Sequence, residues 1–177
     1  MIRKLFLCSV VLLACLSVAR VTHLQAQVPL DGRNRIFHDD FLDNLVGDWK
    51  LTRKMMGQSA ESTVKAEWVL NHQFLLMHMK DVSNPPNYEV MVFIGYDNTS
   101  ERYVAHWIDV FGGRFSETLG YGKRSGNSIK FVFEYPDGPF NNTFTWNPET
   151  KRWFFLMEQR DQTGKWSTFA EETLRRP

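Results

Sequence analysis

Any chemistry in this chain would fall to carboxylates that stand beside aromatic rings. Trp107 and Asp109 are two residues apart, so they share one face of an extended strand. Glu117 follows a Gly112-Gly113 break that could turn the chain back and set it opposite Asp109 in a hairpin. Glu134, and Glu158 or Glu171 beyond it, can project from later strands toward the same interior. Carboxylates enclosed by apolar walls hold their protons more tightly, and they can bind a cation or act as general acids. On the outer face the same residues would be solvated charges, and strand alternation alone does not say which face is inside.

Other chemistries find less support. His38, His72, His78 and His106 form no His-x-His pair, and the sequence gives none of them an obvious carboxylate partner. His78 and His106 fall in strands and could meet across a sheet, although a hydrogen-bonded structural role suits each better. No serine sits in a Gly-x-Ser-x-Gly elbow and no glycine-rich loop could cradle a phosphate. No metal and no cofactor is expected.

The elements that must position these residues begin after a leader. Met1-Ile2-Arg3-Lys4 is a basic start, Leu5 to Val18 is an apolar run, and small residues follow. That is the pattern of a secretory signal peptide over residues 1–26, and the run is short for a membrane span. Cleavage fits after Ala19 or after Ala26. Leu12-Leu13-Ala14-Cys15 also resembles a bacterial lipobox, which would anchor the chain through a lipid on Cys15. The two cysteines, Cys8 and Cys15, both lie in the leader. A chain cleaved at either alanine therefore has no disulfide and no thiolate metal site, and its stability must come from packing. A secreted or periplasmic protein is expected, with no integral membrane span after processing.

Residues 1–26 carry Arg3, Lys4 and Arg20 and no acid, so the 21 basic and 20 acidic residues of the whole chain become 18 and 20, a formal charge of −2. No basic cluster stands out beyond Arg175-Arg176, which disfavours nucleic acid as a partner. Residues 27–37 read as a loose polar connector with Pro29 and Gly32, and residues 38–177 as one domain with a core of its own.

Asp39-Asp40-Phe41-Leu42-Asp43-Asn44-Leu45 suits one or two helical turns, with acids near the helix N-terminus. From Val46 the apolar period becomes two. Strands are expected from Val46 to Thr52, Ser62 to Leu70, Gln73 to Val82, Tyr88 to Tyr96 and Arg102 to Val110. Five more are expected from Phe115 to Tyr121, Ile129 to Tyr135, Phe140 to Trp146, Trp153 to Arg160 and Lys165 to Leu174. Short turns rich in Asn, Asp, Gly and Pro separate most of them. No helix-length pattern intervenes and no repeat is evident, which argues against a parallel α/β sheet and against a propeller. About ten strands in meander order either close or split into two layers, and an all-β, antiparallel up-and-down barrel is the preferred expectation over a sandwich. A barrel of more than eight strands tends to leave interior space that side chains do not fill.

Several segments resemble a known family. They are Leu45-Val46-Gly47-Asp48-Trp49, Gly95-Tyr96-Asp97-Asn98, Tyr103-x-x-x-Trp107-Ile108-Asp109, Ser116-Glu117, Glu134-Tyr135 and Glu171-x-Thr173-x-Arg175. Gly47-x-Trp49 after a helical lead-in resembles the lipocalin and fatty-acid-binding calycins. The whole set is similar to a bacterial family of secreted lipocalin-like proteins, domain of unknown function number fifteen seventy-nine. The resemblance implies a calycin-type barrel and brings no established activity. It departs from haem-binding barrels, whose first strand is richer in glycine and whose late strand offers a histidine, because no histidine follows His106 here. In such a barrel Trp49 would plug one end, with Arg175 or Arg176 lying on its ring.

The reading of function that follows is a secreted barrel holding a small, largely apolar ligand. Trp68, Met77, Trp107, Asp109, Glu117 and Glu134 are the residues expected to contact it, and Met79, Met91 and Met157 add adaptable apolar surface. Two alternatives stand beside it: an isomerase or hydrolase using Asp109 and Glu117 as acid and base, and an envelope module that touches another protein through an exposed edge or rim.

Overall fold

The computed structural model describes residues 36–177, so the leader, its cleavage sites, Cys15 and most of the 27–37 connector lie outside the described residues. Phe37, the last connector residue, is held in place. Its ring stacks on Tyr96 at 5.6 Å and its amide donates to the His72 carbonyl at 3.3 Å.

Helix α1 (Asp40–Asp43) forms where its cap dictates. Asp39 is extended, and its carboxylate accepts from the amides of Phe41 and Leu42, both at 2.9 Å. Phe41, Leu42 and Leu45 are then turned inward and fully buried.

Ten strands follow: β1 (Gly47–Met55), β2 (Gln58–Val69), β3 (Phe74–Asp81), β4 (Glu89–Asp97), β5 (Arg102–Asp109), β6 (Leu119–Ser125), β7 (Ser128–Tyr135), β8 (Gly138–Asn147), β9 (Arg152–Arg160) and β10 (Trp166–Arg175). Each pairs antiparallel with its neighbours in sequence, and β10 returns to pair with β1 through Leu51 opposite Leu174. This is a closed up-and-down barrel. Closure is the physical answer to a ten-strand meander, because it leaves no unpaired edge.

Alternation fills the interior. Trp49 and Leu51, Val64 and Ala66, Leu75, Met77 and Met79, Phe131 and Phe133, Trp153 and Phe155 all face inward and are buried. Phe144 and Phe155 stack at 3.9 Å across β8 and β9. Gly120 faces inward so that the Phe133 ring can cross the space a side chain would take; a Cβ there would lie 2.4 Å from it.

Two boundaries differ from the sequence-based expectation. Strands β1 and β2 run on to a two-residue turn at Met56-Gly57, both with positive φ (49° and 78°), which joins them as a tight hairpin. After β5, Asp109 accepts the Phe111 amide at 3.0 Å and starts a turn, and a short helix, α2 (Gly113–Ser116), replaces the start of the expected strand at Phe115. The β5–β6 ladder therefore ends at His106 opposite Leu119.

The helix end of the barrel is shut. Trp49 donates its indole N–H to the Leu45 carbonyl at 2.7 Å, and Trp153 donates to the Asn44 carbonyl at 3.2 Å. Phe41 meets Trp153 edge-on at 4.9 Å. Arg176, rather than Arg175, covers Trp49, with its guanidinium carbon 3.7 Å from the ring centre and one nitrogen 2.9 Å from the Val46 carbonyl. Gly47 is required beneath it, since its φ is +116° and a Cβ would lie 2.4 Å from Arg176 Nη1.

Candidate ligand site at the barrel mouth

The opposite end is formed by the Met56-Gly57 turn, the loop between β3 and β4, the α2 segment, the turn between β7 and β8, and residues 161–165. Its rim carries exposed apolar residues, Met56, Val82, Val110, Phe111 and Phe115, beside polar ones such as Asn84, Arg114, Asp137 and Lys165. Just inside stand Tyr88, Trp107, Asp109, Tyr135, Phe140 and Phe169, each half-buried. Their rings fall in two groups, Tyr88 with Trp107 and the rim residue Phe111, and Tyr135 with Phe140 and Phe169. Phe111 lies 5.8 Å from Tyr88, Tyr135 is 6.3 Å from Phe140, and Phe140 is 5.4 Å from Phe169.

A hydrogen-bond chain runs through this lining. Trp107 Nε1 donates to the Tyr88 hydroxyl at 3.1 Å, and that hydroxyl donates to Asp109 Oδ2 at 3.3 Å. Burial pushes the Tyr88 phenol well above its ordinary value, and the Asp109 charge adds to the shift, so the phenol stays protonated and remains a donor to Asp109. Burial raises Tyr135 as well, again with Asp109 contributing. Tyr135 donates to the Phe115 carbonyl at 3.3 Å, tying β7 to the end of α2.

Deeper in lies an ion pair. Arg53 and Glu172 face each other across β1 and β10, and Arg53 sends Nε and a terminal nitrogen to the same carboxylate oxygen, Oε1, at 2.5 Å. The Arg53 guanidinium also sits 4.8 Å over the Tyr88 ring and 3.2 Å from Met79 Sδ. Glu172 is 2% exposed, and its second oxygen has no partner; neither do the buried Ser62 Oγ and Asn142 Oδ1. Burial drives the Glu172 carboxyl upward, and Arg53 pulls it back only in part.

The expected site residues divide accordingly. Trp107 and Asp109 do come together, at the mouth. Trp68 stands at the other end, where its indole donates to Asp43 at 2.7 Å and its ring stacks on His72 at 4.2 Å. Met77 is buried in the middle of the core. Glu117 does not oppose Asp109, because α2 displaces it to an exposed position at the helix end of that segment. Glu134 faces outward and is exposed, since its neighbours Phe133 and Tyr135 take the inward positions. Glu158 and Glu171 likewise fall between inward-facing residues. The inward acid of β10 is Glu172. The signal for it was present, because Ala170 and Leu174 are apolar at the same parity; Arg53 stands in the same way two residues beyond Leu51.

The histidines take structural roles. His78 Nε2 bonds Glu89 at 2.6 Å, His106 Nε2 bonds the Ser116 carbonyl at 2.8 Å, and the two do not pair across the sheet. Among the described residues no three His, Cys, Asp or Glu side chains gather as a metal site, and no helix is long and apolar enough to cross a membrane. Two surface clefts, of about 310 and 400 Å³, lie at the helix end. The first is lined by Asp39 and Tyr103, which are already bonded to each other as part of the α1 cap.

A family model described as "protein of unknown function (DUF1579)" matches residues 38–176, from just before the Asp39 cap to the arginine that covers Trp49. The chain belongs to the DUF1579 family. No curated protein matches it. Among solved structures it is similar to Rv2717c from M. tuberculosis, with a TM-score of 0.51 and 10% identity over 77% of this chain and 94% of that one. At that identity the likeness supports the barrel and nothing finer. In this DUF1579 barrel, the mouth is where inward-facing polar groups and half-buried rings meet.

Proposed function

We propose that this barrel binds a small ligand with a largely apolar body at its mouth. The observation that carries the reading is the lining itself: Tyr88, Trp107, Tyr135, Phe140 and Phe169 turn inward yet remain half-buried around Asp109. Small-molecule sites combine such apolar walls with a few fixed polar groups, and the exposed Phe111 and Phe115 extend the apolar surface to the rim. The core beneath is filled with large rings, so the ligand would sit above Phe155 and Met77 rather than run the length of the barrel.

The alternative of acid–base catalysis by Asp109 and Glu117 loses its geometry, because Glu117 stands in solvent beyond α2. Native mass spectrometry of protein purified from its own host tests the binding reading, with denaturation to identify any released molecule. A stoichiometric apolar molecule is the expected result. A ligand-free protein that also fails to bind a broad panel of lipids and aromatics overturns it.

We also infer secretion from the leader pattern of residues 1–26. N-terminal sequencing of the purified protein should begin at Arg20 or Gln27, and an intact Met1 start overturns that inference.

A further inference from the structure

The polar groups of the mouth say which kind of head group the ligand carries. We propose that the site selects an organic ammonium: an apolar or aromatic body with a cationic, hydrogen-bond-donating nitrogen directed at Asp109. The inference rests on the mouth-binding reading above and deepens it.

Four observations carry it. First, the inward-facing charges beneath the mouth, Arg53, Glu172 and Asp109, do not balance. Arg53 is paired with Glu172, whereas Asp109 receives only neutral donors, the Tyr88 hydroxyl at 3.3 Å and the Phe111 amide at 3.0 Å. Second, that unbalanced carboxylate stands among aromatic faces, the setting in which a cation gains from both a carboxylate and ring quadrupoles. Third, the unpartnered buried side-chain atoms of the inner wall are rich in acceptors. Glu172 Oε2 and Asn142 Oδ1 can receive a hydrogen bond, and the Ser62 hydroxyl can do so as well. Glu172 is fully buried and paired with Arg53, whose guanidinium lies 4.8 Å over the Tyr88 ring, which places it beneath the same lining. Fourth, a carboxylate ligand is disfavoured. The one interior cation near the lining, Arg53, already has its charge met, and Asp109 would repel a second anion.

The test compares n-octylammonium, n-octanol and n-octanoate against the full chain by isothermal titration calorimetry. The three share one body and differ in the head group. Octylammonium should bind about tenfold or more tightly than octanol, the preference a single charge-assisted contact commonly supplies, and octanoate should bind worst. Asp109→Asn should bring octylammonium to the level of octanol, whereas Glu134→Gln, on the outer face, should leave the preference intact. Amide shift mapping on the unaltered protein gives a second readout, independent of how the variant folds. Octylammonium should move the Phe111 amide and the Trp107 indole N–H, both of which belong to the Asp109 cluster. Equal binding of octylammonium and octanol, or tightest binding of octanoate, with shifts at the mouth, overturns the ammonium inference while leaving a mouth site in place; shifts confined to the α1 end overturn both readings. Binding of none of the three overturns both readings.

Discussion

At the helix end, Trp49 and Trp153 are fully buried, and each gives its indole N–H to a carbonyl of the α1 segment. At the mouth, Trp107 is half-buried and gives its N–H to a phenol that in turn addresses a carboxylate. The residue types are similar; their partners are not. Indoles bonded to backbone carbonyls lock the fold, because those acceptors are fixed by the chain itself. An indole bonded to a side-chain relay takes part in a network that a ligand can join, and it leaves apolar surface uncovered.

The comparison breaks most visibly with Trp153→Ala. Removing a fully buried indole that touches Phe41 and Trp146 should cost about 3–5 kcal/mol, read as a lower urea midpoint. Trp107→Ala should cost less than half of that, because its ring is already partly solvated and little cavity is created. Comparable losses at the two sites would mean that the mouth is as structural as the plug.

The Arg53–Glu172 pair sharpens the contrast from inside. Arg53→Met strands a buried carboxylate and should cost about 3–5 kcal/mol, whereas the double variant with Glu172→Met should recover most of the loss, as apolar replacements of buried pairs commonly do. The pair also sets a pH dependence. Glu172 keeps its proton to a higher pH in the folded chain than in the unfolded one, so folding takes up a proton in the window between the two values. Its contribution is therefore most favourable below the ordinary carboxyl value of about 4.3 and is lost as pH rises through the raised folded value. Urea midpoints measured from acid to neutral pH should fall more steeply in the parent than in Glu172→Gln. The exposed acids Asp81, Asp97 and Asp161 are shifted the opposite way, and they cancel in that difference.

Gly47→Ala tests the plug at its tightest point. The positive φ strains any side chain by about 1–3 kcal/mol, and the new methyl would push Arg176 off Trp49.

Most of the barrel was legible from period-two alternation, because each strand buries one face and the turns carry their own chemistry. Legibility failed where a local side-chain bond overrode the pattern. Asp109 turns the chain by capping the Phe111 amide, so the expected strand at Phe115 became α2 and Glu117 left the site. Trp107 and Asp109 come together at the mouth because they share a strand face. Glu172 and Arg53 escaped the pattern because it offers Glu171 as the inward acid of the last strand and ends the first strand at Thr52, although both sit at the parity of Leu174 and Leu51. A charged residue at core parity on two adjacent strands is a pair signal, and the register of β1 with β10 makes it one.

The smallest effect belongs to Arg176. Arg176→Ala removes the guanidinium from Trp49 and the bonds to the Val46 and Asp48 carbonyls, and should cost about 0.5–2 kcal/mol. Arg176→Lys keeps the charge and loses the planar fork, so it should recover only part of that. The combination with Gly47→Ala is the decisive arm. Part of the alanine penalty is the collision with Arg176 Nη1, and removing Arg176 relieves it, so the double variant should be more stable than the sum of the two losses predicts. Strict additivity would show that the glycine serves the backbone angle alone and that the arginine only rests on the plug. A positive coupling would show that the first and last strands act together, as one lock, at the helix end of the barrel.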